Sequence, residues 1–263
     1  MSRSLYLIQK HCPNLFRLIV ENGSSNLDKL DDIVLRQLEE KRANNTSLVR
    51  MLMRVEAGDD PFLISFTNYM DDLIGEMLHQ IPEHEAGIWD SLKGKFSNIA
   101  GWNFLNPIGE LSALKHLLSD NESALVTMES PYPNGRPKDF LLMSNSDLEE
   151  VLVEVVNIHT PVEPVEWEEL KIILLEKLEF KIDRETIGVT DPLLLDKLII
   201  MPVVWYLDVK ILREHHDFFS SFSTTMGSSA GLKIKSFGFH TYIKTTDNKL
   251  IFADAATILK TDL

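Results

Sequence analysis

The sequence predicts an α/β protein: a helical amino-terminal region over residues 1–100, then a core of mixed strands and helices over residues 101–263. Three observations carry this reading. Apolar residues in the first hundred positions recur at three- and four-residue steps. The second part of the chain holds short apolar runs set around a strong turn. A long helical segment there is followed by an unbroken apolar run of the kind a buried strand shows. Strands mixed with long helices, after a helical segment, suit an α/β core.

In chain order, Leu27, Leu30, Ile33, Val34 and Leu38 form the first stripe, and Asp28, Asp31 and Asp32 load its amino-terminal end, where acids complement the helix dipole. Asn44, Asn45 and Thr46 supply capping chemistry before Leu48, Met51, Leu52 and Val55. Gly58 to Pro61 punctuates the chain, and Phe62, Phe66, Met70, Leu73, Ile74 and Met77 form the next stripe. Gly109 to Leu118 reads as helix and Ala124 to Met128 as a short strand. Pro131-Tyr132-Pro133-Asn134-Gly135 is a turn. Phe140 to Met143 and Val151 to Val156 read as strands joined by a polar turn at Ser144 to Asp147. Pro161 and Pro164 interrupt the chain before a helix over Glu166 to Ile182. Leu198 to Tyr206 reads as a buried strand, and Lys233 to Lys244 alternates as one more.

Composition narrows the function classes. Of 263 residues, 44% are hydrophobic and 25% charged, which suits a globular core rather than a disordered or fibrous chain. A single cysteine, Cys12, excludes a disulfide scaffold and a cysteine-based zinc site. The longest apolar run, Leu198 to Leu207 between Lys197 and Asp208, is half the roughly 20 residues a membrane span requires. No secretory signal is visible, so a soluble, cytoplasmic protein with no membrane association is expected. The net charge is −14, and both the first hundred residues and the remainder are acidic. Nucleic-acid binders gain affinity by neutralising phosphates with Lys and Arg. This balance counts against a broad nucleic-acid surface, whereas it does not exclude a small acidic site holding metal against a phosphate.

Three acids stand in an informative order. Helical spacing puts Glu110 on one face with Ala113, Leu114 and Leu117. Asp139 begins a strand, with Leu141 and Met143 on its own face. Glu154 sits inside an apolar strand between Val153 and Val155. Burying such an acid unpaired costs several kcal/mol, so a metal, a base or an opening to water should compensate it.

The stretch from Trp102 to Ile182 resembles the PD-(D/E)xK nucleases, the restriction-endonuclease-like superfamily. The likeness lies in a helix bearing Glu110, then Arg136-Pro137-Lys138-Asp139-Phe140, a hairpin turn, and Val153-Glu154-Val155-Val156-Asn157. It implies a restriction-endonuclease-like mixed sheet flanked by helices, with Mg²⁺ or Mn²⁺ held by Asp139 and Glu154 and assisted by Glu110. Hard cations of this kind take oxygen ligands and stabilise charge developing on phosphate. Two departures stand out. Lys138 intervenes between Pro137 and Asp139, and the lysine expected two positions after the acid is Val156, which shares the Glu154 face but cannot orient an attacking water. The family relocates that lysine to a neighbouring helix in some members. Lys177, spaced from Leu170, Ile173 and Leu174 on the stripe expected to face the sheet, is the candidate replacement, with Lys138 second; Lys181 follows one turn later. The plain alternative is a lysine snorkelling at the edge of the core.

Other signals carry less. Gly227-Ser228-Ser229-Ala230-Gly231 matches G-x-S-x-G but lacks the strand-to-helix context of a nucleophile elbow. His79, His84, His215 and His216 are not spaced to share a helical face, whereas His159 follows Glu154 at a strand end and lies near any metal site. Glu163, Glu166, Glu168 and Glu169 complement a helix dipole. Two functions follow from the resemblance. One is a divalent-metal phosphodiesterase acting on DNA or RNA through a small site, with Glu110, Asp139, Glu154 and Lys177 as its catalytic set. The other is a catalytically inactive nuclease-fold protein serving as a protein–protein interaction module, with the amino-terminal helices available to a protein partner.

Overall fold

A computed structural model describes residues 2–20, 47–58, 60–81, 86–96, 104–160, 165–205, 207–222, 225–227, 233–245, 247 and 249–258. The chain forms two compact units: Met1–Leu111 with Thr246–Leu250, and Ser112–Thr245 with Ile251–Leu263. The stripe from Leu27 to Leu38 and the capping triplet at 44–46 lie outside the described residues.

The first unit is helical: α1 (Arg3–His11), α2 (Pro13–Val20), α3 (Leu48–Ala57), α4 (Pro61–Gln80) and α5 (Ala86–Phe96). Polar side chains begin these helices where the backbone leaves amide donors unsatisfied. Ser2 accepts from the Leu5 amide, Ser47 from that of Arg50, and Asp60 from those of Phe62 and Leu63. Helix α2 borrows its cap from another helix. Asp71 of α4 accepts from the amides of Asn14 (2.9 Å) and Leu15 (3.1 Å) and from the Asn14 side chain (3.0 Å). Gly75, one turn on, permits this close approach, because a Cβ there would lie 2.7 Å from Asn14 Nδ2. Leu48, Met51, Leu52, Phe66, Met70, Leu73, Ile74 and Met77 are buried, as their spacing predicts.

Helix α6 (Leu105–Leu118) begins in the first unit and ends in the second. The second unit continues with β1 (Ser123–Ser130), β2 (Lys138–Ser144), β3 (Glu150–His159), α7 (Trp167–Thr186), α8 (Pro192–Lys197) and β4 (Leu198–Trp205). It ends with α9 (Val209–Glu214), α10 (His216–Ser220), β5 (Thr225–Gly227), β6 (Lys233–Ser236), β7 (His240–Lys244) and β8 (Leu250–Asp254). The sheet is mixed. Strands β1, β2 and β3 form an antiparallel meander, and β4 lies parallel to β3 from Leu152/Leu198 to His159/Trp205. The register of β1 on β2 slips between Leu125 and Thr127, where Val126 bulges outward and is exposed. Among the described residues, no helix is long and apolar enough to cross a membrane.

The strand expected over Lys233 to Lys244 is two strands. Strand β6 pairs with β4 at Ile199 and Ile200, and β7 pairs with it further along at Val203 and Val204. Between them the Phe237 amide donates to the Ile200 carbonyl, and Gly238 passes close to Asp254. The alternation is genuine, but the line bulges where Gly238 weakens it.

Strand alternation sorts the sheet into two faces. Leu152, Val156 and Ile158 of β3 and Leu198, Ile200 and Val204 of β4 bury one face against Leu170, Leu174, Leu178 and Ile182 of α7. The four-residue step of those helical positions makes them the stripe that meets the sheet.

Two substitutions test this account. Asp71→Ala should cost about 1–2 kcal/mol in denaturant unfolding, since it removes the cap of α2. Leu148, in the β2–β3 turn, holds φ 59° with its side chain 73% exposed. Leu148→Asn should raise stability by up to about 1 kcal/mol, because asparagine tolerates the left-handed region that leucine disfavours.

Candidate functional site

Pairing sets Phe140 opposite Val153 and Leu141 opposite Leu152, so Asp139 and Glu154 continue the register on the α7 face of the sheet. Asp139 uses Oδ2 to accept from the Val155 amide at 2.8 Å. Glu154 is only 5% exposed. Its Oε1 pairs with the ammonium of Lys181, while its Oε2 is buried and accepts no hydrogen bond. Burial, reinforced by the Asp139 charge, pushes the Glu154 carboxyl up to about 7, against the opposing pull of Lys181.

A second ion pair adjoins the first. Lys138 is fully buried, its ammonium paired with Glu185 and 4.4 Å from the centroid of the Tyr132 ring. Glu185 also accepts from the Arg184 guanidinium (2.9 Å) and lies 3.5 Å from Lys181. Lys181 thus bridges Glu154 of β3 and Glu185 of its own helix. Burial works to raise the Glu185 carboxyl, but its cationic partners, Lys138 first, outweigh this and hold it below the ordinary range. The cluster joins Lys138 and Asp139 of β2, Glu154 of β3, and Lys181, Arg184 and Glu185 of α7.

The expected site residues divide. Asp139 and Glu154 come together. Lys177 does not reach them; it is exposed on α7. Its charge acts instead on His159, whose imidazole is held below its usual value by burial first and by Lys177 second. The physical reason is position along the helix. Lys177 and Lys181, four residues apart, share one flank beside the stripe from Leu170 to Ile182, and it is the turn bearing Lys181 that meets Glu154. Glu110 belongs to the first unit, where its carboxylate pairs with Lys95. Lys138, the second-choice lysine, is sealed by Glu185. His159 stacks on Trp205 with ring planes 9° apart. After Gly227, the next described residues form β6, an antiparallel partner of β5, rather than a helix. The sequence reading missed Glu185, although its position four residues after Lys181 marked the pair as neighbours on one flank of the helix.

The residues suit a divalent cation in one respect and limit it in another. The orphaned Oε2 of Glu154 and the adjacent Asp139 carboxylate are hard oxygen donors that a dication would satisfy. Yet among the described residues no group of three or more His, Cys, Asp or Glu is gathered to hold a metal. Mg²⁺ is commonly held by one or two carboxylates, with water and substrate phosphate completing its shell, and a pair of acids fits that mode. Comparison of the chain with known protein families, with curated proteins and with solved structures gives no match.

Lys138→Met should destabilise the protein by about 3–5 kcal/mol in chemical unfolding, since it leaves Glu185 buried beside an apolar group in place of its closest cation. The low Glu185 value also sets a pH dependence. The stability it contributes is present above the ordinary glutamate value of 4.5 and is lost as pH falls through the lower folded value. Thermal melts across that acid range should show a decline that Glu185→Gln flattens.

Proposed function

We propose that the protein is a divalent-metal phosphodiesterase of the restriction-endonuclease-like type, acting on DNA or RNA through a small site. The observation that carries this reading is the meeting of Asp139, Glu154 and Lys181 in one cluster. The lysine missing from β3, where Val156 packs into the core, is supplied from α7 instead. The succession of a helix, a hairpin and an acid-bearing strand, followed by a helix and a parallel strand, supports the same reading.

In this proposal Asp139 and Glu154 would hold the cation, and Mg²⁺ or Mn²⁺ there would supply Lewis acidity toward the phosphate and an attacking water. Lys181 orients that water and places positive charge beside the developing phosphoryl charge. Glu185, backed by Lys138 and Arg184, positions the Lys181 ammonium. The Val155 amide fixes the orientation of Asp139. Glu110, paired with Lys95, is left out of this set.

A second reading, an inactive nuclease-fold interaction module with the amino-terminal helices contacting a protein, draws on the closure of the cluster: the Lys138 and Glu185 side chains are 0% and 2% exposed.

Cleavage of plasmid and single-stranded substrates in Mg²⁺ or Mn²⁺ separates the two. Wild type should cut; Asp139→Asn, Glu154→Gln and Lys181→Met should each lose about 10²-fold or more in rate, and Lys177→Ala should stay near wild type. Millimolar Mn²⁺ should also raise the melting temperature of wild type but not of Asp139→Ala or Glu154→Ala. No cleavage together with no metal-dependent shift would leave only the interaction module.

A further inference from the structure

We propose that His116 and His240 form a binding site for a divalent transition-metal cation, Zn²⁺ foremost, independent of the Asp139–Glu154 pair. His240 lies on β7 and is 2% exposed. It pairs with Val203, whereas Glu154 pairs with Ile200, so alternation puts the two side chains on opposite faces of the sheet. Its Nδ1 lies 2.9 Å from the Gly238 carbonyl. A carbonyl only accepts, so Nδ1 carries the proton and Nε2 keeps its lone pair.

That Nε2 is buried and has no hydrogen-bond partner. An orphaned buried acceptor is costly unless something satisfies it. The ring of His116, on α6, stands edge-on to His240 with centroids 4.7 Å apart. Phe252 of β8 stacks on His240 at 5.4 Å and meets His116 edge-on at 6.2 Å, so one aromatic side chain packs against both imidazoles. A histidine whose one ring nitrogen donates to a backbone carbonyl while the other stays open has the arrangement of a metal ligand. Imidazole nitrogen favours Zn²⁺, Cu²⁺ and Ni²⁺ over Mg²⁺ and Ca²⁺, which prefer oxygen. With two protein nitrogens and water completing the shell, the site binds reversibly, unlike a four-ligand structural zinc centre.

Calorimetric titration of the full chain with Zn²⁺, followed by imidazole nitrogen NMR, tests this. Saturable binding at one equivalent is expected, with the Nε2 resonance of His240 and the ring nitrogens of His116 shifting together. His116→Ala, at an exposed position, should fold normally and weaken binding by about 10-fold or more. The double variant Asp139→Asn/Glu154→Gln should bind as wild type does, and excess Mg²⁺ should not compete. Absence of saturable binding, unchanged affinity in His116→Ala, or loss of binding in the double variant would overturn the assignment.

Discussion

A carboxylate on the buried face of a sheet is the constraint around which the second unit is arranged. Glu154 occupies a position that its neighbours on the same face, Leu152 and Val156, fill with hydrocarbon. Taking that charge out of water is costly, and the cost must be met by other charges close by. Lys181 meets part of it directly. Glu185 holds Lys181 in turn, and Lys138 and Arg184 hold Glu185. Each member of the chain is explained by the one before it, and the sequence ends at Tyr132, whose ring lies under the Lys138 ammonium.

The compensation is incomplete, and the residue is informative. Ion pairs elsewhere in the cluster leave Glu185 acidic, whereas Glu154 keeps one unsatisfied oxygen and a raised carboxyl value beside Asp139. Structural networks tend to satisfy every member, because a half-satisfied buried network is less stable than an apolar core. A strongly perturbed acid next to a second acid and a lysine is where chemistry is sought. At Glu154 this imbalance accompanies the meeting with Asp139 and Lys181 on which the proposed phosphodiesterase rests.

Much of this was legible in the residues. Strong periodicity located α3, α4 and α7, and the joining of the two acids was implied by the nuclease resemblance, with their strands read on either side of a polar turn. What escaped was position along the helix axis. Lys177 and Lys181 are one turn apart on the same helix, and Leu170, Ile173 and Leu174 do not fix which turn meets the acid. The series Leu170, Leu174, Leu178 and Ile182 fixes the face, and only the packing of α7 along β3 selects the turn of Lys181. The division of Lys233 to Lys244 escaped for a related reason: the alternation continues through Gly238 while the hydrogen bonding does not. The borrowed cap of α2 depends on Asp71, more than fifty residues away, and no local pattern announces such a partnership.

The slipped register of β1 has a consequence for the protein in company. Among the described residues β1 is an outermost strand, so its free side is a template on which another chain could grow a ribbon. The displaced Val126 and the left-handed Glu129, with φ 52°, break the straight run of donors and acceptors that such growth requires. Straightening that margin would trade a local kink for a propensity to self-associate and precipitate.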